Sequence, residues 1–559
     1  MGQINIKKAS EARVRIALGQ INSLITAFSL NAEKIIAFTH KAIKEKADLI
    51  VFPEMCVCGY PPMDLLDLDN FVEECLKAVR FIQHNTPGEI GVLVGYIDQN
   101  RSHSGKKLVN TVSLIYNNQI IFSQAKTLLP TYDVFDEARY FEPAKARNII
   151  EFKGKKIGIT ICEDIWWEQE KQSGEKYRVD PVLELLDKGA EILLAPSASP
   201  FYSGKPELRF SLISDISKKA CIPVVYVNMI GANDSLIFDG QSMYVSKEGF
   251  LSFRAQGFEE DFAVIDTEKN SRRLKLHTDK YEEIEQALVL GIRDYLQKCG
   301  FECVHLGLSG GIDSALVAVL AVRAAGREHV KAFAMPSRYS SEASLSDARE
   351  LCQNINIDLE VISIENVFPH YLESLAPVFK ERKPDSTEEN IQTRIRSSLL
   401  MAYANKFNSI LLTTGNKSEL ATGYCTLYGD MSGALAVIGD LFKTEVYELA
   451  RAINKTKRVI PDSILNKAPS AELKPAQTDQ DTLPPYELLD KILYAYILQQ
   501  KTKQQLLAMG FKKPLVEKVL TMVARAEYKR RQAPPVLKVS PRAFGTGRRI
   551  PIARSIFEA

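Results

Sequence analysis

Leu308–Val317 reads LSGGIDSALV, and the reading of that stretch decides the fold of half the chain. A strand-like run, CVHLGL (303–308), precedes it and an apolar helical run, ALVAVLAVRAA (315–325), follows. Strand, glycine pair and helix together make a phosphate cradle: bare backbone N–H groups point at an anion and the helix dipole adds positive potential. The lysine of the G-x-x-x-x-G-K-[ST] loop is missing, and Asp313 stands in the loop. A carboxylate repels phosphate but can hold Mg²⁺, which bridges to phosphate oxygens. Gly310 and Gly311 let the main chain approach closely, and Ser309 and Ser314 add hydroxyl donors. A lone glycine pair is often just a tight turn; the whole string between a strand and a helix is far more specific.

Outward from this loop the second half alternates strands and helices. HVKAFAMP (329–336), DLEVISI (358–364) and SILLTT (409–414) read as strands, with helices at 344–355 and about 388–406. That is βαβ repetition, hence a parallel sheet with ligands at the carboxyl ends of its strands. LNKAPSAELKPAQTDQDTLPP (465–485) is polar and proline-bearing and reads as a mobile loop or lid.

The first half carries strand runs at 14–21, 48–54, 91–97, 155–162, 190–196 and 221–228, with a helix at 31–47. Runs at 110–116 and 119–126 flank Asn117-Asn118 and read as a hairpin, and a second hairpin is expected near 241–255. So many strands with helices between only some of them predict a layered αββα sandwich. A polar seam at 262–277 leads to an amphipathic helix from about 280.

At 559 residues the chain is too long for one core. Domains are expected at 1–270 and 271–559. Hydrophobic residues make up 45% and charged ones 25%, and the net charge is +2. No basic field argues for nucleic acid, and no apolar run of membrane-spanning length occurs. Nine cysteines show no zinc spacing. The first residues, MGQINIKKAS, lack the apolar stretch of a signal peptide. A reducing cytoplasm fits.

Three first-half residues stand at strand ends: Glu54 in FPE, Lys126 in AKTLLP and Cys162 in GITICEDIWW. Singly, each has an ordinary explanation: a capping glutamate, a solvated lysine, a small core thiol. Together and in that order they resemble the triad of the nitrilase superfamily. The resemblance implies that the Lys126 ammonium favours the Cys162 thiolate and steadies an oxyanion, while Glu54 moves the proton.

SGGIDS resembles the signature of the ATP pyrophosphatases, which cleave ATP between its α- and β-phosphates and adenylate a substrate. LLTTGNKSELATGYCTLYGDMSG (411–433), GDLFKTEVYELA (439–450) and EENIQTRIRSSLLMAYAN (388–405) are similar to the NAD synthetases. By that resemblance Gly307, Leu308, Ser309, Gly310, Gly311, Ile312, Asp313 and Ser314 bind ATP with Thr414 and Lys443. Asn390, Glu419 and Lys529 bind deamido-NAD, and Asp313 and Glu419 hold Mg²⁺. Arg394 and Arg396 lie two apart on a helix, so only one is expected to reach substrate. In the first half, Tyr132, Ser199 and Lys205 are implied to bind glutamine.

Both halves together resemble the glutamine-dependent NAD synthetases over essentially the whole chain. The fold implied is an N-terminal nitrilase-like αββα sandwich plus a C-terminal doubly wound, Rossmann-like ATP pyrophosphatase domain. The activity implied is ATP-dependent amidation of deamido-NAD by ammonia freed from glutamine and led through a tunnel, in a homo-oligomer. Two other readings are an amidotransferase with a different acceptor, and a scaffold or nucleotide sensor with dead sites.

Overall fold

Near-continuous apolar runs such as Gly91–Ile97 become strands buried on both faces, and the rest of the first half is organised to cover them. The computed structural model of the chain describes residues 13–102, 104–167, 177–267 and 273–555. They form two compact units, one ending at Thr278 and the other starting at Asp279; the excursion Ala232–Ile237 groups with the second. The expected boundary at 270/271 lies outside the described residues.

The strands of the first unit are β1 (Arg15–Gln20), β2 (Leu49–Val51), β3 (Gly91–Gln99), β4 (Leu108–Tyr116), β5 (Gln119–Ala125), β6 (Ile149–Phe152) and β7 (Lys155–Ile159). They continue with β8 (Ile192–Ser197), β9 (Val224–Asn228), the hairpin strands β10 (Ile230–Asn233) and β11 (Leu236–Asp239), then β12 (Met243–Val245), β13 (Leu251–Arg254) and β14 (Asp261–Asp266). One sheet runs β14-β1-β2-β3-β4-β5 and the other β13-β12-β9-β8-β7-β6. Both repeat one pattern: three parallel strands in series, one antiparallel neighbour on one side and two on the other.

Alternate residues decide which face meets which layer. Ile16, Leu18, Leu49, Val51 and Leu93 of one sheet share a core with Ile157, Ile159, Leu194 and Val225 of the other. The intervening Leu193, Ala195, Val224 and Tyr226 point outward onto Leu212, Ile213 and Ile216 of the helix Lys205–Ala220. Helices Phe28–Lys44 and Asp69–Asn85 pack on the first sheet and bury Ile35, Ala42, Val72, Val79 and Ile82. This is the expected αββα order of layers. Each buried Val, Leu or Ile side chain contributes about 1.5–3 kcal/mol by burial. The β4–β5 hairpin turns at Asn117 and Asn118, both at positive φ, 50° and 58°, which suits the twist of a two-residue loop. Phe262–Asp266, the start of the stretch read as a seam, belongs to strand β14, which pairs antiparallel with β1.

The second unit holds β15 (Cys303–Gly307), β16 (Val330–Ala334), β17 (Leu359–Val361), β18 (Ser409–Thr413) and β19 (Leu435–Ala436), all parallel, in the order β17-β16-β15-β18-β19. The chain starts at the central strand, builds one side, then crosses to build the other. The crevice between β15 and β18 is therefore the topological switch point, where such sheets bind ligands. Helix Lys280–Cys299 starts at Asp279, whose side chain accepts from the N–H groups of Tyr281 and Glu282, and stops at Gly300. Helix Ile312–Ala325 is apolar on nearly every side because it is buried on nearly every side.

Candidate active sites

In the first unit the chain leaves β2 at Phe52, whose N–H donates to Leu93 O of β3. Gly95 of β3 lets the next residues lie against that strand: a Cβ there would stand 2.6 Å from Pro53 O and Met55 N. Glu54 is thereby delivered, fully buried, over the strand ends. Lys126 follows β5, and its N–H donates to Asn110 O. Lys126 Nζ lies 2.8 Å from Glu54 Oε1 and 2.8 Å from Glu137 Oε1. Asn110 Nδ2 donates to Glu54 Oε1 at 2.6 Å, Ala198 N–H to Glu54 Oε2 at 2.9 Å, and Tyr60 OH to Glu137 at 2.9 Å.

Cys162 stands beyond β7 at φ +47°, opening a single 3₁₀ turn, Cys162–Ile165. A left-handed non-glycine residue costs of order 1 kcal/mol or more and persists only where neighbours hold it. Asp164 does so. Its Oδ1 accepts from the N–H groups of Thr127 (3.0 Å) and Leu128 (2.8 Å), and its Oδ2 from Ile161 N–H (3.0 Å). One carboxylate thus ties the residues after Lys126 to the turn that carries Cys162.

Burial sets the resting charges. It pushes the Cys162 thiol well above the ordinary range, Glu54 pushes it further, and the opposing pull of Lys126 is too small. The sulfur therefore rests as a thiol, not as the thiolate that the lysine alone implied. Burial alone would lower the Lys126 ammonium, but Glu137 and Glu54 outweigh it and hold it well above the usual lysine range. Burial lifts the Glu137 carboxyl to about 7 against the pull of Lys126.

The residues implied for glutamine surround this turn. Tyr132 OH donates to both oxygens of Glu163 at 3.0 Å. Ser199 N–H donates to Asn228 Oδ1 at 2.9 Å, one residue after Ala198 reaches Glu54. Lys205 Nζ lies 4.1 Å from the ring centre of Trp166, the residue that closes the Cys162 turn.

In the second unit the loop after β15 lines a cavity of about 310 Å³ at the switch point. Gly310 sits at φ +77°, and a Cβ on it would fall 2.3 Å from Ser344 O, so only glycine fits. Ser314 Oγ accepts from Ser309 N–H and fixes the loop's mouth. Gly307, Leu308, Ser309, Gly311, Ile312, Asp313 and Ser314 line the cavity, as do Thr414, Glu419 and Lys443. Lys467–Leu473 and Asp479 close one side. The segment read as a lid is anchored there: Glu472 accepts from Ser341 N–H (3.1 Å), Ser341 Oγ (2.9 Å) and Ser344 Oγ (2.7 Å).

Asp313 accepts from Lys443 Nζ and, at 2.9 Å, from Asn416 Nδ2. Lys443 Nζ also lies 3.7 Å from Glu419 Oε1. Burial and the Asp313 charge lift the Glu419 carboxyl to about 8, with Lys443 pulling it down. Two carboxylates share one ammonium, so the cluster lacks positive charge. Among the described residues no three His, Cys, Asp or Glu side chains are placed to hold a metal by themselves. Two carboxylates completed by phosphate and water suit Mg²⁺, which keeps most of its oxygen ligands from outside the protein.

Asn390 and Lys529 do not line the cavity. Asn390 Oδ1 accepts from Thr426 Oγ1 at 2.7 Å, and Lys529 Nζ donates to the carbonyls of Gly423 (2.9 Å) and Cys425 (2.6 Å). Both brace residues 423–426, and Cys425 is at the cavity wall. Of the arginine pair, Arg396 lines the cavity; Arg394 Nε donates to Leu427 O at 3.2 Å.

The carbon–nitrogen hydrolase family profile matches residues 15–273 and the NAD synthase profile residues 284–533. The chain is 46% identical to the glutamine-dependent NAD(+) synthetase of a Synechocystis species over 549 residues, covering 97% of this chain and 98% of that one. The chain belongs to the glutamine-dependent NAD(+) synthetases. The synthetase of this name from Thermotoga maritima is 40% identical, with 98% of this chain and 99% of that one covered. Among solved structures, the Acinetobacter baumannii glutamine-dependent NAD+ synthetase in complex with adenosine diphosphate superposes with a TM-score of 0.77 at 37% identity, covering 97% and 98% of the two chains. That of Cytophaga hutchinsonii, at 22% identity and a TM-score of 0.83, shows the same fold.

For this member of the family the structure adds side chains that the sequence did not single out. Glu137 closes DVFDE, where an acid reads as solvated; only its burial at Lys126 reveals it. Asp164 and Glu163 lie inside the CEDIWW string without a pattern of their own. Lys417, in TTGNKSE, is fully buried and donates to Asp440 (2.6 Å), Ser540 Oγ (2.8 Å) and Arg542 O (2.7 Å).

Proposed function

We propose that the chain amidates deamido-NAD to NAD at the expense of ATP, with ammonia from glutamine hydrolysed in its first unit, releasing glutamate, AMP and pyrophosphate. The observation that carries this reading is the buried Lys126 ammonium shared by Glu54 and Glu137 beside Cys162, in one chain with a phosphate-cradling loop. Cys162 attacks the glutamine amide carbon, and Glu54 takes the thiol proton because burial leaves the sulfur protonated at rest. Lys126, kept charged by Glu137, steadies the tetrahedral oxyanion. Glu54 returns its proton to the amine, ammonia leaves, and a water deprotonated by Glu54 hydrolyses the thioester to glutamate. Tyr132, Ser199 and Lys205 hold the amino-acid end; a lysine ammonium there suits an α-carboxylate.

In the second unit the backbone of Ser309–Ser314 receives the phosphates of ATP, and Lys443 is drawn to the same charge. Asp313 and Glu419 would hold Mg²⁺, which supplies positive charge as pyrophosphate departs. Joining AMP to the nicotinate carboxylate turns a poor leaving group into a good one, and ammonia then displaces AMP. Asn390 and Lys529 act on deamido-NAD through the loop they brace. No helix among the described residues is long and apolar enough to cross a membrane, and with nine free thiols we place the protein in the cytoplasm. Exposed Val367, Tyr371 and Val378, along one face at helix Phe368–Phe379, support assembly into a homo-oligomer.

Incubation with ATP, Mg²⁺, deamido-NAD and amide-¹⁵N glutamine tests the reading. Mass spectrometry should find the label in the carboxamide of NAD and AMP in equal amount. Formation of ADP, or label in any other acceptor, refutes it.

A further inference from the structure

The second unit has another cavity, of about 580 Å³, away from the switch point and lined from the segments around Tyr496–Gln504 and Arg542–Ile550, with Leu520; its charged lining residues are Lys501, Lys503, Arg542 and Arg548. Its size falls in the range of small-molecule sites. Four cations face it, and no aspartate or glutamate is among its described lining residues. Two of the four are neutralised from outside: Lys503 pairs with Glu517 at 2.8 Å and Arg548 with Glu527 at 2.6 Å. Lys501 and Arg542 have no carboxylate within salt-bridge distance among the described residues, and Lys501 is only half-exposed. The lining also includes the aromatic and apolar side chains Tyr496, Ile497, Leu520 and Ile550. Two uncompensated cations in one cavity with an aromatic ring and aliphatic side chains suit a phosphate joined to a planar ring. The volume exceeds what phosphate alone fills.

We infer that this cavity is a second nucleotide site, in which Lys501 and Arg542 hold the phosphate of a mononucleotide and Tyr496 supports its base. Arginine and lysine each give a phosphate charge-assisted hydrogen bonds, so losing either weakens binding roughly tenfold or more. Replacing the Arg542 side chain spares its structural bonds, which are made by the main-chain carbonyl: it accepts from Lys417 Nζ at 2.7 Å and Ser540 Oγ at 3.2 Å.

Equilibrium dialysis of the full chain with labelled AMP tests the assignment. The wild-type chain should bind two AMP, one of them in the switch-point cavity. The Lys501→Ala, Arg542→Ala double variant should keep one and lose the other, or bind it a hundredfold more weakly. The Lys501→Arg, Arg542→Lys double variant, equal in charge, should retain both, and circular dichroism of each variant reports folding. Adenosine, with no phosphate, should fail to compete for the second AMP. One AMP per wild-type chain overturns the inference. So does a second AMP indifferent to both substitutions, or one displaced equally by adenosine. Pyrophosphate bound there where AMP is not would overturn the nucleotide assignment.

Discussion

Asp164→Asn separates the positioning of Lys126 and Cys162 from the stability of the fold. The carboxylate accepts three buried N–H groups, two on Oδ1 and one on Oδ2. An asparagine that turns its oxygen to Thr127 and Leu128 sets its NH₂ against Ile161 N–H. That buried donor is left unpaired at a cost of about 1–3 kcal/mol. Against this stands the charge itself. Burial lifts the Asp164 carboxyl from 3.8 to about 6, which penalises the ionised form in the folded state by roughly 3 kcal/mol. Below about pH 3 the carboxyl is protonated folded and unfolded, and the penalty is absent. As pH rises towards 6 the unfolded chain ionises first, so wild-type stability falls, and above 6 the full penalty applies. Asparagine never pays it.

The substitution should therefore destabilise by about 1–3 kcal/mol at pH 3 and be neutral to about 2 kcal/mol stabilising at pH 8. Trp166 and Trp167, the only tryptophans in the chain, both lie in the first unit, so their fluorescence during urea unfolding reads that unit alone. Activity should not follow stability. With Ile161 unheld, the left-handed turn at Cys162 relaxes, and a misplacement near 1 Å costs about a hundredfold. Glutamine-driven NAD synthesis should fall by about ten- to a hundredfold while the ammonium-driven rate stays within about twofold. A glutamine-driven rate within about twofold of wild type, or a stability loss above about 1 kcal/mol at pH 8, refutes the reasoning.

Cys162→Ala should abolish glutamate release and leave ammonium-driven NAD formation intact, both read by chromatography. Gly310→Ala must strain a φ of +77° and move a carbonyl 2.3 Å from the new Cβ; both nitrogen sources should then fail, with kcat/KM for ATP down by about a hundredfold or more. Burial and Asp313 lift the Glu419 carboxyl to about 8, so Mg²⁺ held there would compete with a proton. Calorimetric Mg²⁺ affinity should weaken roughly tenfold from pH 9 to pH 7, and Glu419→Gln should be weaker and pH-independent over that range.

The sequence made the strand ends legible because buried parallel strands are apolar runs that stop where ligands bind. CVHLGL, SILLTT and DLIVFPE each end within two or three residues of the observed strand. It failed where identity depends on a distant partner. FAVID looked like the tail of a domain because its partner, β1, lies at the other end of the first unit. Helix Phe368–Phe379 was unreadable: Pro377 lies inside it, and Tyr371 and Val378 are apolar on an exposed face. The same holds for the sites. Glu54, Lys126 and Cys162 each stand at a strand end in a recognisable string, whereas Glu137 lies in a loop and acquires its role only by burial against Lys126. Lys417 stands in TTGNKSE without a sign of its role, because its partner Asp440 is set by folding; together they anchor Val539 and Ser540.

Both units solve one electrostatic problem and leave it in different states. Each buries a lysine between two carboxylates, Lys126 between Glu54 and Glu137, Lys443 between Asp313 and Glu419. With all groups ionised, each cluster carries a net charge of −1 away from water, a state that burial penalises. In the first unit the excess is absorbed by protons. Cys162 stays a thiol and Glu137 is lifted to about 7, so the cluster is poised to pass a proton between sulfur, carboxylate and amine without changing its total charge. In the second unit Glu419, lifted to about 8, holds a proton that a cation can displace. At a site for the polyanion ATP, exchange of that proton for Mg²⁺ held by Asp313 and Glu419 would add the positive charge that a departing phosphate chain needs. The first cluster is thus suited to proton transfer and the second to metal-assisted departure of an anion, which is the division of labour that amide hydrolysis and adenylation require.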